Sequence, residues 1–92
     1  MMFGRKQGHT NELTIPAAAE NDPQAFEMLR IWIGQGREHA SIRGGQFDDA
    51  GSWGVILADL AKHMADAFAR ETGQPVNDVL QRIKSTFAGD LN

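Results

Sequence analysis

FEMLRIWIGQGREHASIR, residues 26–43, separates an all-helical chain from one that contains a sheet. Its first half admits two structures. Glu27, Met28, Leu29 and Arg30 are good helix formers, and a helix could run on from Pro23 through Ile33. Leu29, Ile31 and Ile33 nevertheless alternate. Gly34 to Arg43 then supplies a glycine-bounded turn and a second alternating run. A period of two on both sides of a turn reads as a β-hairpin.

The hairpin can be registered from its side chains, because a slip of one residue moves every side chain to the opposite face. Pairing Ile33 with Glu38 sets Ile31 against Ala40 and Leu29 against Ile42, which gathers the apolar residues on one face. The other face then holds Met28, Arg30, Trp32, His39, Ser41 and Arg43. Pairing Ile33 with Arg37 instead would put Ser41 and His39 opposite Leu29 and Ile31, with polar groups desolvated among apolar ones. The first register is the expectation. It stands only if residues 23–33 form a strand.

Downstream, Gly44, Gly45, Asp48, Asp49 and Gly51 mark a loop. Trp53, Ile56, Leu57, Leu60, Met64 and Phe68 then recur at three and four, the signature of an amphipathic helix over about residues 50–72. Asp49 or Ser52 can cap its start, and Arg70 and Gly73 mark its end. Pro75 opens a second helix, about 75–88, with Val76, Val79, Leu80, Ile83 and Phe87 in one stripe. Upstream, Glu12 to Pro16 alternates and stops at proline, as a short edge strand does. Asp22-Pro23 opens a turn. The expected fold is α+β, a small antiparallel sheet of two or three strands (about 12–16, 26–33 and 38–43) with two helices packed on one face. Residues 1–8 are expected to form a flexible arm, and 9–92 a single globular domain.

At 92 residues and 41% hydrophobic content, the chain can build one core and not two. It has no cysteine, which removes disulfides, thiolate metal sites and a cysteine nucleophile together. The net charge of -3, with acids and bases interleaved, gives no field that would gather nucleic acid. Arg5-Lys6 is too short a basic run to change that. No stretch has membrane length and the start lacks an apolar leader, so a cytoplasmic location is expected.

The run AFEMLRIWIGQGREHASIRGG, followed by SWGVILADLAKHMADAF, resembles a small bacterial family that carries a domain-of-unknown-function label. The likeness spans roughly residues 11–88. Its most specific pieces are Arg30-Ile31-Trp32 and Trp53-Gly54, with Leu57, Ala58, Asp59 and His63 downstream. The resemblance supports the domain boundaries and implies no activity, cofactor or catalytic residue.

The outer sheet face is the candidate site. Trp, Arg and Met are enriched at protein interfaces, and an aromatic flanked by cations can also stack on a ring or hold an anion. Its plainer explanation is a solvated face, with Trp32 covered by an arginine stem or by the N-terminal arm. The exposed edge strand offers a second route to a homodimer. Asp59 and His63 sit four apart on the long helix, but no third ligand is fixed by sequence and Lys62 opposes a cation. A surface ion-pair ladder of Asp59, Lys62, His63, Asp66 and Arg70 accounts for them better. His39, His63, Ser41 and Ser52 form no catalytic motif, and Asp48 and Asp49 suit capping. Gly44-Gly45 lacks the lysine ending of a phosphate loop. Gly54, beside Trp53, would allow a strand or loop to approach the first helical turn.

The functional expectation is a non-catalytic protein-binding or self-association module, a homodimer or a partner of another protein, using Met28, Arg30, Trp32, His39, Ser41 and Arg43. The alternative is a small-ligand binder or small enzyme that recognises an anion near Trp32. No catalytic residue, metal or cofactor is assigned.

Overall fold

The computed structural model describes residues 8–92, in the order α1 (Ala17–Glu20), β1 (Leu29–Gly34), β2 (Arg37–Ile42), α2 (Gly51–Thr72) and α3 (Val76–Leu91). The architecture is α+β, with one two-stranded antiparallel sheet. The arm expected over residues 1–8, including Arg5 and Lys6, lies outside the described residues except for Gly8. Contacts divide the chain into two units, one ending at Arg43 and one spanning Gly44–Asn92, and each is described by itself.

In the first unit the ambiguity at residues 23–33 resolves against a helix: a turn at residues 22–25 is followed by extended chain and then by strand from Leu29. The Asp22 carboxylate accepts the Gln24 N–H at 2.9 Å, and the Asp22 carbonyl accepts the Ala25 N–H at 3.0 Å. Such a turn can also open a helix, but no i-to-i+4 bond follows it at residues 26–28. The chain leaves it extended, and β1 begins at Leu29, three residues later than Phe26. Gln35 and Gly36 both take positive φ, 54° and 77°, the pattern of a two-residue type I′ turn whose twist matches that of the strands. The register is the one the side-chain pattern selects: Leu29 with Ile42, Ile31 with Ala40, Ile33 with Glu38. One further bond, from the Arg43 N–H to the Met28 carbonyl at 2.9 Å, extends the ladder beyond the strand ends.

Residues 12–16 do not form the expected third strand. Only Leu13 and Ile15 alternate there, and they are 90% and 61% exposed. The segment is bounded by local bonds instead. The Glu12 N–H donates to the His9 carbonyl, and the Pro16 carbonyl accepts the Ala19 and Glu20 N–H groups at 3.0 Å. Ala17, Ala18 and Ala19 are the strongest helix formers, so α1 starts where the strand was expected to stop.

In the second unit the N-cap of α2 is Ala50, which gives no side-chain bond, rather than Asp49 or Ser52; Asp49, one residue before it, accepts the Gly51 N–H on its Oδ1 at 3.1 Å. Gly73 ends the helix at φ 77°, its N–H donating to the Ala69 carbonyl at 2.8 Å. Pro75 sits at the N-cap of α3, and its carbonyl accepts the Asp78 and Val79 N–H groups at 3.1 Å. This helix passes through Gly89 to Leu91, beyond the expected end at 88. The two helices pack on each other. Ala65 and Val79, 0% and 5% exposed, are the buried residues among those described, and Leu60, Leu80 and Ile83 are half-buried. Trp53 lies edge-on to Phe47, with centroids 5.7 Å apart. Gly54 does not serve a close approach: a Cβ there would meet nothing within 4 Å. No helix among the described residues is long and apolar enough to cross a membrane.

Candidate functional site

The register brings the six nominated residues onto one face of the hairpin, with Arg30 opposite Ser41, Trp32 opposite His39, and Met28 bonded to Arg43. Met28, Arg30 and Trp32, near or on β1, are half-buried. His39, Ser41 and Arg43 are exposed. The difference comes from the segment ahead of β1, which crosses the face on that side.

Five internal contacts, made by Arg30, Trp32 and Arg43, tie that segment to the face. The Arg30 guanidinium pairs with the Glu12 carboxylate at 2.6 Å and donates from Nε to Glu27 at 3.1 Å. The hydrogen bond to Glu27, with the charges of Glu27 and Glu12, raises the Arg30 pKa above its ordinary value. The His9 ring meets Trp32 edge-on with centroids 5.0 Å apart. Arg43 donates from Nε to the Glu27 carbonyl at 2.8 Å, and its guanidinium lies 5.3 Å from the Phe26 ring centroid. His39 Nε2 lies 3.0 Å from the Gly34 carbonyl, which can only accept, so this contact fixes the proton on Nε2.

A groove of about 700 Å³ runs between residues 11–20 and β1. Leu13, Ile15, Phe26 and Ile31 give it an apolar wall. Its charged lining is Glu12, Glu20, Glu27 and Arg30, three carboxylates to one guanidinium. Arg30 is already held by two of them, so the groove opposes an anion.

Sequence reasoning missed His9, Glu12 and Glu27 as parts of this face. His9 and Glu12 reach it through a loop, and no periodic rule links a loop residue to a strand face. Glu27 stands three before Arg30, a spacing that strand alternation assigns to the opposite face. Glu27 lies ahead of β1, where that alternation does not apply.

The nominated residues of α2 do not converge. Both ion pairs found among the described residues belong to Arg30, so the ladder of Asp59, Lys62, His63, Asp66 and Arg70 is not formed. These side chains are exposed, where pairing gains little against the entropy of holding two long chains together. Among the described residues no three His, Cys, Asp or Glu side chains could hold a metal ion.

Comparison with known proteins adds the following. No curated protein matches the chain. A solved structure from the photosynthetic bacterium Rhodopseudomonas palustrus CGA009, described as "a putative pyruvate dehydrogenase", is similar with 27% identity and a TM-score of 0.76. The match covers 96% of this chain and 89% of that one, so the similarity extends over nearly the whole of both. The model of one family, described as Domain of unknown function (DUF5076), matches residues 12–92. The hairpin, both long helices and the Glu12 that closes over Arg30 all fall within that match, and the chain belongs to the DUF5076 family.

Proposed function

We propose that this chain is a non-catalytic protein-binding module that self-associates as a homodimer in the bacterial cytoplasm. One observation carries the reading: neither unit, taken by itself, buries its own large apolar side chains. Ile31, Ile33 and Ile42, on one face of the hairpin, are 48%, 74% and 63% exposed. Met64, Phe68 and Phe87 on the helices are about half exposed, while Ala65 and Val79 are the buried residues among those described. Scattered exposed apolar residues need no explanation, but three isoleucines clustered on one sheet face suit an interaction surface. The absence of cysteine suits a reducing compartment, where a fold gains nothing from disulfides.

The geometry shifts emphasis within the hairpin. On the outer face, Arg30, Arg43 and Trp32 already have partners in Glu12, Glu27, Phe26 and His9, which leaves a second protein less to satisfy. On the apolar face the side chains have most to gain from cover. The anion-binding alternative has a groove beside Trp32 in its favour, but the carboxylates of that groove oppose it. The dehydrogenase name belongs to the R. palustrus protein and is not carried over. Among the described residues no nucleophile stands in hydrogen-bond contact with a base.

Sedimentation velocity over a wide range of concentrations tests the proposal. A dimer that dissociates only on dilution supports it. A monomer at every concentration refutes it.

A further inference from the structure

Resting on that self-association reading, we propose that two copies join along the free edge of β2, in antiparallel register about Ser41, to form one four-stranded sheet. The hydrogen-bond phase of the hairpin identifies the edge. The Arg43 N–H bonds the Met28 carbonyl, so the hydrogen-bonded pairs of the ladder are Met28 with Arg43, Arg30 with Ser41, Trp32 with His39 and Gly34 with Arg37. By the same alternation Glu38, Ala40 and Ile42 turn their backbone N–H and C=O groups away from β1. No backbone bond to those groups is found among the described residues.

The two edges of the sheet differ. Alongside β1 run residues 11–20, which form the other wall of its groove. All six residues of β2 are exposed. Natural edge strands are guarded by proline, lysine, bulges or inward charges, and of these β2 has one, Glu38 opposite Ile33 near the turn, which leaves the Ala40–Ile42 end unguarded. A two-stranded ribbon is also marginal alone, and a third and fourth strand would remedy that.

Side-chain chemistry chooses among the registers that keep outward groups opposed. Pairing about Ala40 sets Arg37 against the partner's Arg43, like charge on like. Pairing about His39 sets the partner's Glu38 against Ala40 and leaves Ile42 opposite a glycine. Pairing about Ser41 sets Ala40 against the partner's Ile42, in both directions, and opposes no like charges. The two-fold axis then stands perpendicular to the sheet at Ser41. Both copies turn Leu29, Ile31, Ile33, Ala40 and Ile42 to the same side, making one apolar face that is interrupted by Glu38 toward each turn.

The chain has no cysteine, so a single introduced thiol reports the pairing without interference. Ser41 would face its own copy across a non-hydrogen-bonded pair, where Cβ atoms are within disulfide reach. Full-length Ser41→Cys under mild oxidation is expected to form an interchain disulfide, and Ala40→Cys, set off diagonally from its counterpart, is not. Ala40→Pro removes an N–H that points to the partner and leaves the β1–β2 ladder whole. It should weaken the dimer by about thirtyfold, since symmetry removes two interchain bonds.

A dimeric wild type with a cross-linked Ser41→Cys and a dissociated Ala40→Pro supports the edge. A dimeric wild type whose Ser41→Cys stays uncross-linked, with Ala40→Pro folded and still dimeric, overturns the edge and leaves self-association standing elsewhere. A monomeric wild type overturns both. Should Ala40→Pro fail to fold, the near-isosteric Ser41→Cys decides alone.

Discussion

Gly36→Ala should cost the hairpin about 1–2 kcal/mol, and for a single reason. Gly36 adopts φ 77°, and a Cβ built there meets nothing within 4 Å. No steric clash with neighbours enters, so the penalty is that of an L residue in left-handed backbone. With a denaturant dependence of about 1–2 kcal/mol per molar for a small chain, the urea midpoint should fall by roughly 1 M. The chain holds two tryptophans, Trp32 on β1 and Trp53 on α2. A Trp53→Phe background therefore makes the fluorescence transition report on the hairpin. Protein concentration must be held fixed, because association shifts an apparent midpoint. The companion Gln35→Gly relieves a non-glycine residue at φ 54° and should raise the midpoint, by less, because glycine also gains entropy in the unfolded chain. An unchanged midpoint in Gly36→Ala, or a lower one in Gln35→Gly, would mean that positive φ at this turn does not hold the hairpin.

Three further outcomes are expected. Gly73→Ala, at φ 77° with open space around its Cβ, should destabilise α2 by about 1 kcal/mol in thermal unfolding, and Gly73→Asn by less. Gly54→Ala should stabilise by ~0.5–1 kcal/mol, because the helical glycine has nothing to make room for; a loss would mean that something does approach it. Glu12→Gln and His9→Ala should each shift Trp32 emission to the red by loosening residues 9–12, at a stability cost below about 1 kcal/mol, as suits pairs near the surface. Unchanged emission in both would show that this segment does not shield Trp32.

The parts of the fold legible in the sequence are those set by local periodicity. The hairpin register follows because Leu29, Ile31 and Ile33 leave one arrangement that keeps Ser41 and His39 out of the apolar face. Both long helices follow from their three-and-four spacing and from stops at Gly73 and Pro75. Glu12–Pro16 was misleading because two alternating residues weigh less than three alanines and a proline carbonyl that starts a turn. The six residues of the outer face were legible once the register was. Their cover by His9, Glu12 and Glu27 was not, since those contacts depend on the path of a loop and the start of a strand. The charge ladder on α2 shows the opposite error: spacing made the pairs possible, and solvent removed the reason to form them.

Self-association stands or falls on the solution mass of the purified wild-type chain, measured by size-exclusion chromatography with light scattering. A homodimer gives twice the 10.1 kDa of a single chain, falling toward that value only on strong dilution. A mass of one chain at every concentration would contradict it.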